Sequence, residues 1–367
     1  MTKVLVVDDS ALVRKLFGRV LAEDPDFTVQ VARNGLEALA QLDTFQPDVI
    51  TLDVQMPQMN GLQCLDRIMV QRPCPVVMVS TVTDEGAEAT LEALRLGAVD
   101  FVAKPSGAVS LRMQQFGPTL KEKVRTAAAA RLPASHRLRE RVQFRTGGGT
   151  ATRRRKEPPA DVTDDRATPP ATGDGLVLVG TSTGGPPALE ALLTPLSADF
   201  PWPVLVAQHM PAGFTGPLAR RLAGLCAVNV VEVTGPTRLE AGRVYIGRGD
   251  ADLVVSKRPS GLIAMTVPSD PDYPWHPSTD RLVRSAMQYV PPTQLIGVLM
   301  TGMGDDGADA LASLRREGGT TIAEAEETAV VWGMPGELVR MGGAAYVLPL
   351  PGIAQRLQKL VPRAARP

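Results

Sequence analysis

The chain of 367 residues is 44% hydrophobic and 4% aromatic, and its 39 basic and 39 acidic residues cancel to a formal net charge of zero. Such a length implies two or three domains, and a neutral balance with few aromatics excludes a general nucleic-acid binder, which needs a basic footprint and stacking platforms. Three cysteines without a C-x-x-C pair exclude a disulfide framework and a zinc site and fit a reducing cytoplasm, while the apolar runs are too short for a signal peptide or a membrane span.

From residue 3 to about 130, strands and helices alternate. Apolar runs at 4–7, 49–52, 76–79 and 101–102 predict strands, and helical spacing at 11–21, 61–69 and 85–96 predicts helices. The alternation implies a doubly wound α/β domain whose parallel sheet is covered on both faces. Residues 121–173 then carry 13 Lys/Arg against 6 Asp/Glu, with almost no aliphatic residue after Val142. Such a stretch cannot bury enough surface to offset its ordering entropy, so a basic flexible linker is expected. Strands resume at 176–179, 204–208, 295–300, 320–323 and 345–348, and 228–267 reads as a β-rich insertion, a hairpin joined through Gly261. The expected organisation is a first α/β domain over 1–122, a linker over 123–173 whose flexible part begins near 132 after the helix that closes the first domain, and a second doubly wound domain over 174–363.

Polar residues of the first domain gather at strand ends. Asp8 and Asp9 follow the first strand, Asp53 and Ser80 end two later ones, and Lys104 follows the strand at 101–102. In a doubly wound sheet these ends converge on one crevice. Three carboxylates there repel one another and call for a cation, and an all-oxygen set suits Mg²⁺. Asp53 can then act as a carboxylate nucleophile and take up a phosphoryl group, with Lys104 neutralising one phosphoryl oxygen and Ser80 donating to another. Taken singly, Asp9 would cap the helix at Ala11 and Asp53 a turn. Together, "VLVVDDS", "LDVQMPQMNGL", "VVMVST" and "GAVDFVAKP" resemble a response-regulator receiver domain over about residues 3–120. The resemblance implies a flavodoxin-like fold, Asp53 as phosphoacceptor, Asp8 and Asp9 with Asp53 as Mg²⁺ ligands, and Ser80 as the hydroxyl that moves toward the phosphoryl group. It also implies a cis bond before Pro105 and a histidine kinase as phosphodonor.

In the second domain "LVLVGTSTGGPPALEAL" runs an apolar strand into Gly180-Thr181-Ser182-Thr183-Gly184-Gly185 and on into a helix. Three readings are open: a plain tight turn, an elbow that presents Ser182 as a nucleophile, or a phosphate cradle. The last lacks both G-K-[ST] and G-x-G-x-x-G. A serine nucleophile needs a base. His136 lies in the linker, His209 ends the strand at 204–208 on the same sheet edge as Ser182, and His276 lies in the loop "DYPWHPSTD". In "MTGMGDDGADAL", one of Asp305 and Asp306 can orient the histidine while the other caps the following helix. With His276 as base, the partner would be Asp250, Asp252 or Asp270.

"VGTSTGGPPAL", "QHMPAGFT" and "MTGMGDDGADAL" are similar to the catalytic domain of the chemotaxis protein-glutamate methylesterases over about residues 175–363, and receiver, linker and esterase is the order of that family. The resemblance implies Ser182 as nucleophile, His209 as base, Asp306 as orienting acid and backbone oxyanion donors near Thr183 and Met303, with the helix at Pro186–Pro187 setting its positive end beside the oxyanion. The implied activity is a phosphorylation-activated, cytoplasmic serine hydrolase. It would demethylate glutamate methyl esters on the cytoplasmic helices of methyl-accepting chemoreceptors, releasing methanol, and deamidate particular glutamines there. The ester chemistry needs no cofactor, and no nucleic-acid or membrane partner is implied. Two segments depart from the family pattern. Asp252 stands where a histidine is usual, and Pro274-Trp275-His276-Pro277-Ser278 replaces an Arg-His-Arg-Pro-like stretch. The competing readings are a non-catalytic binding module under receiver control, a methylesterase of a non-standard chemosensory system, and a small-molecule esterase using His276.

Overall fold

The computed structural model describes residues 1–104, 109–132 and 175–361, side chains of 109–115 excepted. His136, the bond before Pro105 and most of the expected linker lie outside the described residues. The chain divides into two units, each an α/β structure.

The first unit runs β1 (Thr2–Val7), α1 (Ala11–Ala22), β2 (Phe27–Ala32), α2 (Gly35–Thr44), β3 (Val49–Asp53), α3 (Gly61–Gln71), β4 (Val76–Ser80), α4 (Asp84–Leu96), β5 (Asp100–Ala103) and α5 (Val109–Ala129). Its sheet has the order β2-β1-β3-β4-β5, with every pairing parallel. β3 and β4 are buried at every position, as strands covered on both faces must be. β2 is an edge strand with only Phe27 and Ala32 buried, so its sequence lacks the apolar run that marks the others. Helices α1 to α4 begin on Ser10, Asn34, Asn60 and Thr83, whose side chains accept from backbone N–H groups three residues on. Ser10 is therefore the cap of α1, and Asp9 is left for another role. Leu120, Val124 and Ala127 are buried along one face of α5, and Phe116 packs on Phe17 at 5.2 Å. This apolar stripe carries the helix to Ala129, so the boundary expected at 122 falls inside it. The chain leaves β1 for β2 on one side and reaches β3 on the other, which opens a crevice at the carboxyl ends of β1 and β3.

The second unit contains β6 (Leu176–Thr181), α6 (Gly185–Leu193), β7 (Val204–Gln208), α7 (Ala212–Leu225), β8 (Asn229–Val233), β9 (Thr237–Arg238), β10 (Arg243–Gly247), β11 (Ala251–Arg258) and β12 (Gly261–Pro268). It continues with α8 (Thr279–Met287), β13 (Leu295–Leu299), α9 (Ala308–Arg316), β14 (Thr320–Glu324), α10 (Met334–Arg340), β15 (Tyr346–Leu348) and α11 (Leu350–Leu360). A seven-stranded parallel sheet has the order β15-β14-β13-β6-β7-β10-β8. The stretch 228–267 is thus not one insertion: β8 and β10 extend the main sheet, and only the antiparallel β11–β12 hairpin, with β9 paired on β12, stands apart. No helix separates β8 from β10, so in sequence they resemble a meander. β6 is central, with β7 on one side and β13 on the other, and all six of its residues are buried. Among the described residues no helix is long and apolar enough to cross a membrane.

Candidate active site and phosphoacceptor crevice

At the mouth of the first sheet, carboxylate oxygens of Asp8, Asp9 and Asp53 all lie within 4.8 Å of one another. Asp8 and Asp53 are buried and Asp9 is exposed. Lys104 Nζ sits 2.9 Å from Asp8 Oδ2 and 2.8 Å from Asp53 Oδ2. Burial pushes the Asp53 carboxyl up to about 6; the Lys104 hydrogen bond opposes that rise and the Asp8 charge adds to it. Burial also works to lower Lys104, but its bonds to Asp53 and Asp8 outweigh it and hold the ammonium above its ordinary value. Three carboxylates facing one ammonium leave a surplus of negative charge, and an all-oxygen donor set of this kind fits a hard divalent cation. Ser80 is placed differently from its neighbours. Its hydroxyl lies 3.0 Å from the Gly86 carbonyl and 3.3 Å from that of Thr81, so it must leave these acceptors to reach a phosphoryl oxygen.

In the second sheet Ser182 directly follows β6. The turn needs its glycines at two points. Gly184 has φ +77°, and a Cβ on Gly185 would fall 1.9 Å from Gln208 Oε1. Around Ser182 the backbone is tied down from both neighbouring strands. Ser182 N–H donates to the Thr301 carbonyl at 3.0 Å, and Thr301 Oγ1 donates to the Thr183 carbonyl at 2.9 Å. Thr301 N–H in turn donates to the buried Glu324 carboxylate at 2.8 Å. On the other side His209 N–H donates to the Thr181 carbonyl at 3.0 Å, and Gln208 Nε2 donates to the carbonyls of both Ser182 and His209 at 3.0 Å. The serine and the histidine are thereby locked together at the ends of adjacent strands.

His209 Nε2 lies 2.8 Å from Asp306 Oδ2, and both side chains are buried. Asp306 also accepts from Ser278 Oγ at 2.8 Å and from the backbone N–H groups of Thr279 and Asp280 at 2.6 and 3.2 Å, the start of α8. Burial works to raise this carboxyl, but the His209 hydrogen bond and charge, with the two amides, hold it below its ordinary value. An ionised Asp306 can only accept, so Nε2 carries the imidazole hydrogen. Nδ1 is buried without a hydrogen-bond partner and is the nitrogen left to take a proton. Asp305 is exposed, and α9 starts on Gly307 with no side-chain cap, so a capping role for Asp305 does not hold. Thr183 and Met303 are buried beside this edge.

His276 has a carboxylate of its own. Its Nδ1 is 3.0 Å from Oδ1 of Asp252, which is fully buried, accepts from Ser278 N–H at 2.7 Å and pairs with Arg281. Of the three aspartates considered for His276, Asp252 is the one it contacts. Two residues of the segment that departs from the family pattern touch the His209–Asp306 pair, contacts the sequence does not announce: Ser278, whose S-T-D context does mark a helix start, and Trp275, whose ring stacks on His209 from a loop with no periodicity to single it out.

Comparison with known proteins bears on both units. The sequence model of the CheB methylesterase family matches residues 177–357, and that of the response regulator receiver domain matches 4–114. The chain is 56% identical over 355 residues, 96% of each chain, to protein-glutamate methylesterase/protein-glutamine glutaminase 2 of Rhodopseudomonas palustris (strain BisB18). It is 52% identical, over 99% of this chain and 97% of the other, to protein-glutamate methylesterase/protein-glutamine glutaminase 3 of Rhodospirillum rubrum. The crystal structure of the Thermotoga maritima CheB methylesterase catalytic domain aligns along its whole length with 52% of this chain, at 36% identity and a TM-score of 0.50.

Proposed function

The chain belongs to the protein-glutamate methylesterase/protein-glutamine glutaminase family, and on that premise we propose that Ser182, His209 and Asp306 hydrolyse γ-glutamyl methyl esters on chemoreceptors under control of Asp53. The observation that carries the reading is the buried His209–Asp306 pair with its unpartnered Nδ1, on a residue that follows the strand paired with the one leading to Ser182. Ser182 Oγ adds to the ester carbonyl carbon while Nδ1 takes its proton. Backbone N–H groups near Thr183 and Met303, with the positive end of α6, stabilise the oxyanion. The C–O bond to methoxide then breaks, and the imidazolium returns the proton to release methanol. Water repeats the sequence on the acyl-enzyme and frees the glutamate. A glutamine side chain passes through the same acyl-enzyme, with ammonia as leaving group.

In the first unit Asp53 is the phosphoacceptor, with Lys104 and a reoriented Ser80 meeting the phosphoryl oxygens. Asp8, Asp9 and Asp53 would hold the divalent cation, which we take to be Mg²⁺ and which supplies charge neutralisation for phosphoryl transfer. A histidine kinase is the donor. The receiver extends through α5, a basic linker follows it, the esterase domain begins near 174, and the protein works in the cytoplasm. The phosphorylated receiver raises the esterase rate.

The test is methanol release from methylated receptor membranes by Ser182→Ala and His209→Ala. Nucleophile and base of a triad cost up to ~10⁶-fold when removed. Circular dichroism should show both variants folded. If Ser182→Ala keeps more than about a tenth of the rate, less than a 1.4 kcal/mol effect, the nucleophile is another residue.

A further inference from the structure

One short segment touches both the base and its orienting acid. The Trp275 indole stacks on the His209 imidazole, with ring centroids 5.7 Å apart and planes within 11°. Its Nε1 also covers Gly304, where an added Cβ would come within 3.3 Å of it. Three residues on, Ser278 Oγ donates to Asp306 Oδ1 at 2.8 Å. Asp252, which lies outside the triad, holds the same segment. Its fully buried carboxylate contacts His276 Nδ1 at 3.0 Å, accepts from Ser278 N–H at 2.7 Å and pairs with Arg281, so it anchors the segment at two of its four residues and again from α8.

A histidine held by one hydrogen bond can still swing its ring about that bond. Nε2 is fixed by Asp306, but Nδ1 has no partner to stop the swing. A flat aromatic face against the ring removes that freedom. The indole face also favours the imidazolium that forms as Ser182 loses its proton. We propose that residues 275–278 form a clamp on the His209–Asp306 pair, anchored by Asp252: Trp275 sets the plane of the base and Ser278 the orientation of the acid. These are positioning residues, and they act on the chemical step rather than on substrate binding.

The inference rests on His209 as base, so its test runs beside Ser182→Ala and His209→Ala. The full-length protein, activated by a small phosphodonor with Mg²⁺, is assayed for kcat and KM on methylated receptor membranes. Trp275→Leu should lower kcat about tenfold with KM within about twofold, the size of a stacked aromatic contact. Trp275→Phe, which keeps a flat face, should recover most of that loss. Ser278→Ala should lower kcat on the order of ten- to a hundredfold, as for a lost hydrogen bond to a charged group. Asp252→Asn should lower kcat at least as far as Trp275→Leu, and adding Trp275→Leu to it should cost less than about a further twofold, because the clamp is already released. Should Asp252→Asn fail to fold, His276→Asn removes one of the anchor's contacts from a more accessible side chain and should lower kcat by a smaller factor, about threefold, as for one lost hydrogen bond. Unchanged kcat in Trp275→Leu, a higher KM at constant kcat, or losses that simply multiply in the double variant would overturn the clamp. If Ser182→Ala and His209→Ala stay active, the triad reading fails; if they are dead while Trp275→Leu is unimpaired, only the clamp fails.

Discussion

At the mouth of the first sheet Asp53 is 2% exposed, and its carboxyl is pushed up to about 6; at the mouth of the second Asp306 is 6% exposed, and its carboxyl is held below the ordinary value. Burial acts on both in the same direction, so burial does not explain the difference. The donors do. Asp53 shares one ammonium with Asp8 and accepts a single weak N–H bond from Gln55 at 3.4 Å. Asp306 collects Ser278 Oγ, two amides at the start of α8 and the imidazole. Each arrangement suits the task proposed for it. A carboxyl left under-compensated is ready to accept a cation and a phosphoryl group. A carboxylate saturated with donors stays ionised and holds a histidine still. Asp280 shows the cost of sharing a site with Asp306, since burial, with the Asp306 charge adding to it, raises its carboxyl to about 6.

The sharpest break of this contrast is at Asp306. Asp306→Asn keeps the shape but loses the obligatory acceptor, and the amide can hold the wrong histidine tautomer. A fall in kcat of up to ~10⁴-fold is expected, measured as methanol release. At the first sheet the contrast appears in stability. The folded protein keeps the Asp53 proton up to about pH 6, while the unfolded chain releases it near 3.8. Between these values the folded state binds more protons, so stability falls as pH rises through the window, by on the order of 3 kcal/mol once both forms are ionised. Asp53→Asn should therefore stabilise the first unit at pH 7.5 in metal-free urea titrations and have little effect near pH 3.5. The same stabilisation at both pH values would mean that the Asp53 proton is not the cause. Divalent cation binding near pH 6 should release a proton that Asp53→Asn does not, read by calorimetry in two buffers of different ionisation enthalpy. The smallest effect is at Asp305. Exposed and capping nothing, its change to Asn should alter the rate by less than about twofold, within the ±0.5 kcal/mol of an ordinary surface site.

The sequence makes the strand ends legible because buried parallel strands are short apolar runs and their polar followers stand out: Asp8 after β1, Asp53 ending β3, Ser182 after β6, His209 after β7. Edges are harder. β2 carries only two buried residues, and β8 and β10 pair in parallel with no helix between them, so the former escapes notice and the latter read as an insertion. The choice between Asp305 and Asp306 needs the donors at Ser278, Thr279 and Asp280, some 26 to 28 residues away in the chain. Asp252 and His276 stand out in sequence as departures from the family pattern, but their mutual contact spans the β11–β12 hairpin and no local spacing announces it.

The claim that joins the two crevices is that phosphorylation at Asp53 drives chemistry at Ser182. Methanol release from receptor membranes, measured with and without a small phosphodonor and Mg²⁺, tests it in the full-length protein, Asp53→Asn and Ser182→Ala. A higher rate with phosphodonor is expected in the unaltered protein, the basal rate under both conditions in Asp53→Asn, and no release in Ser182→Ala. An equal rise in Asp53→Asn, or no rise in the unaltered protein once its phosphorylation is verified, would contradict it.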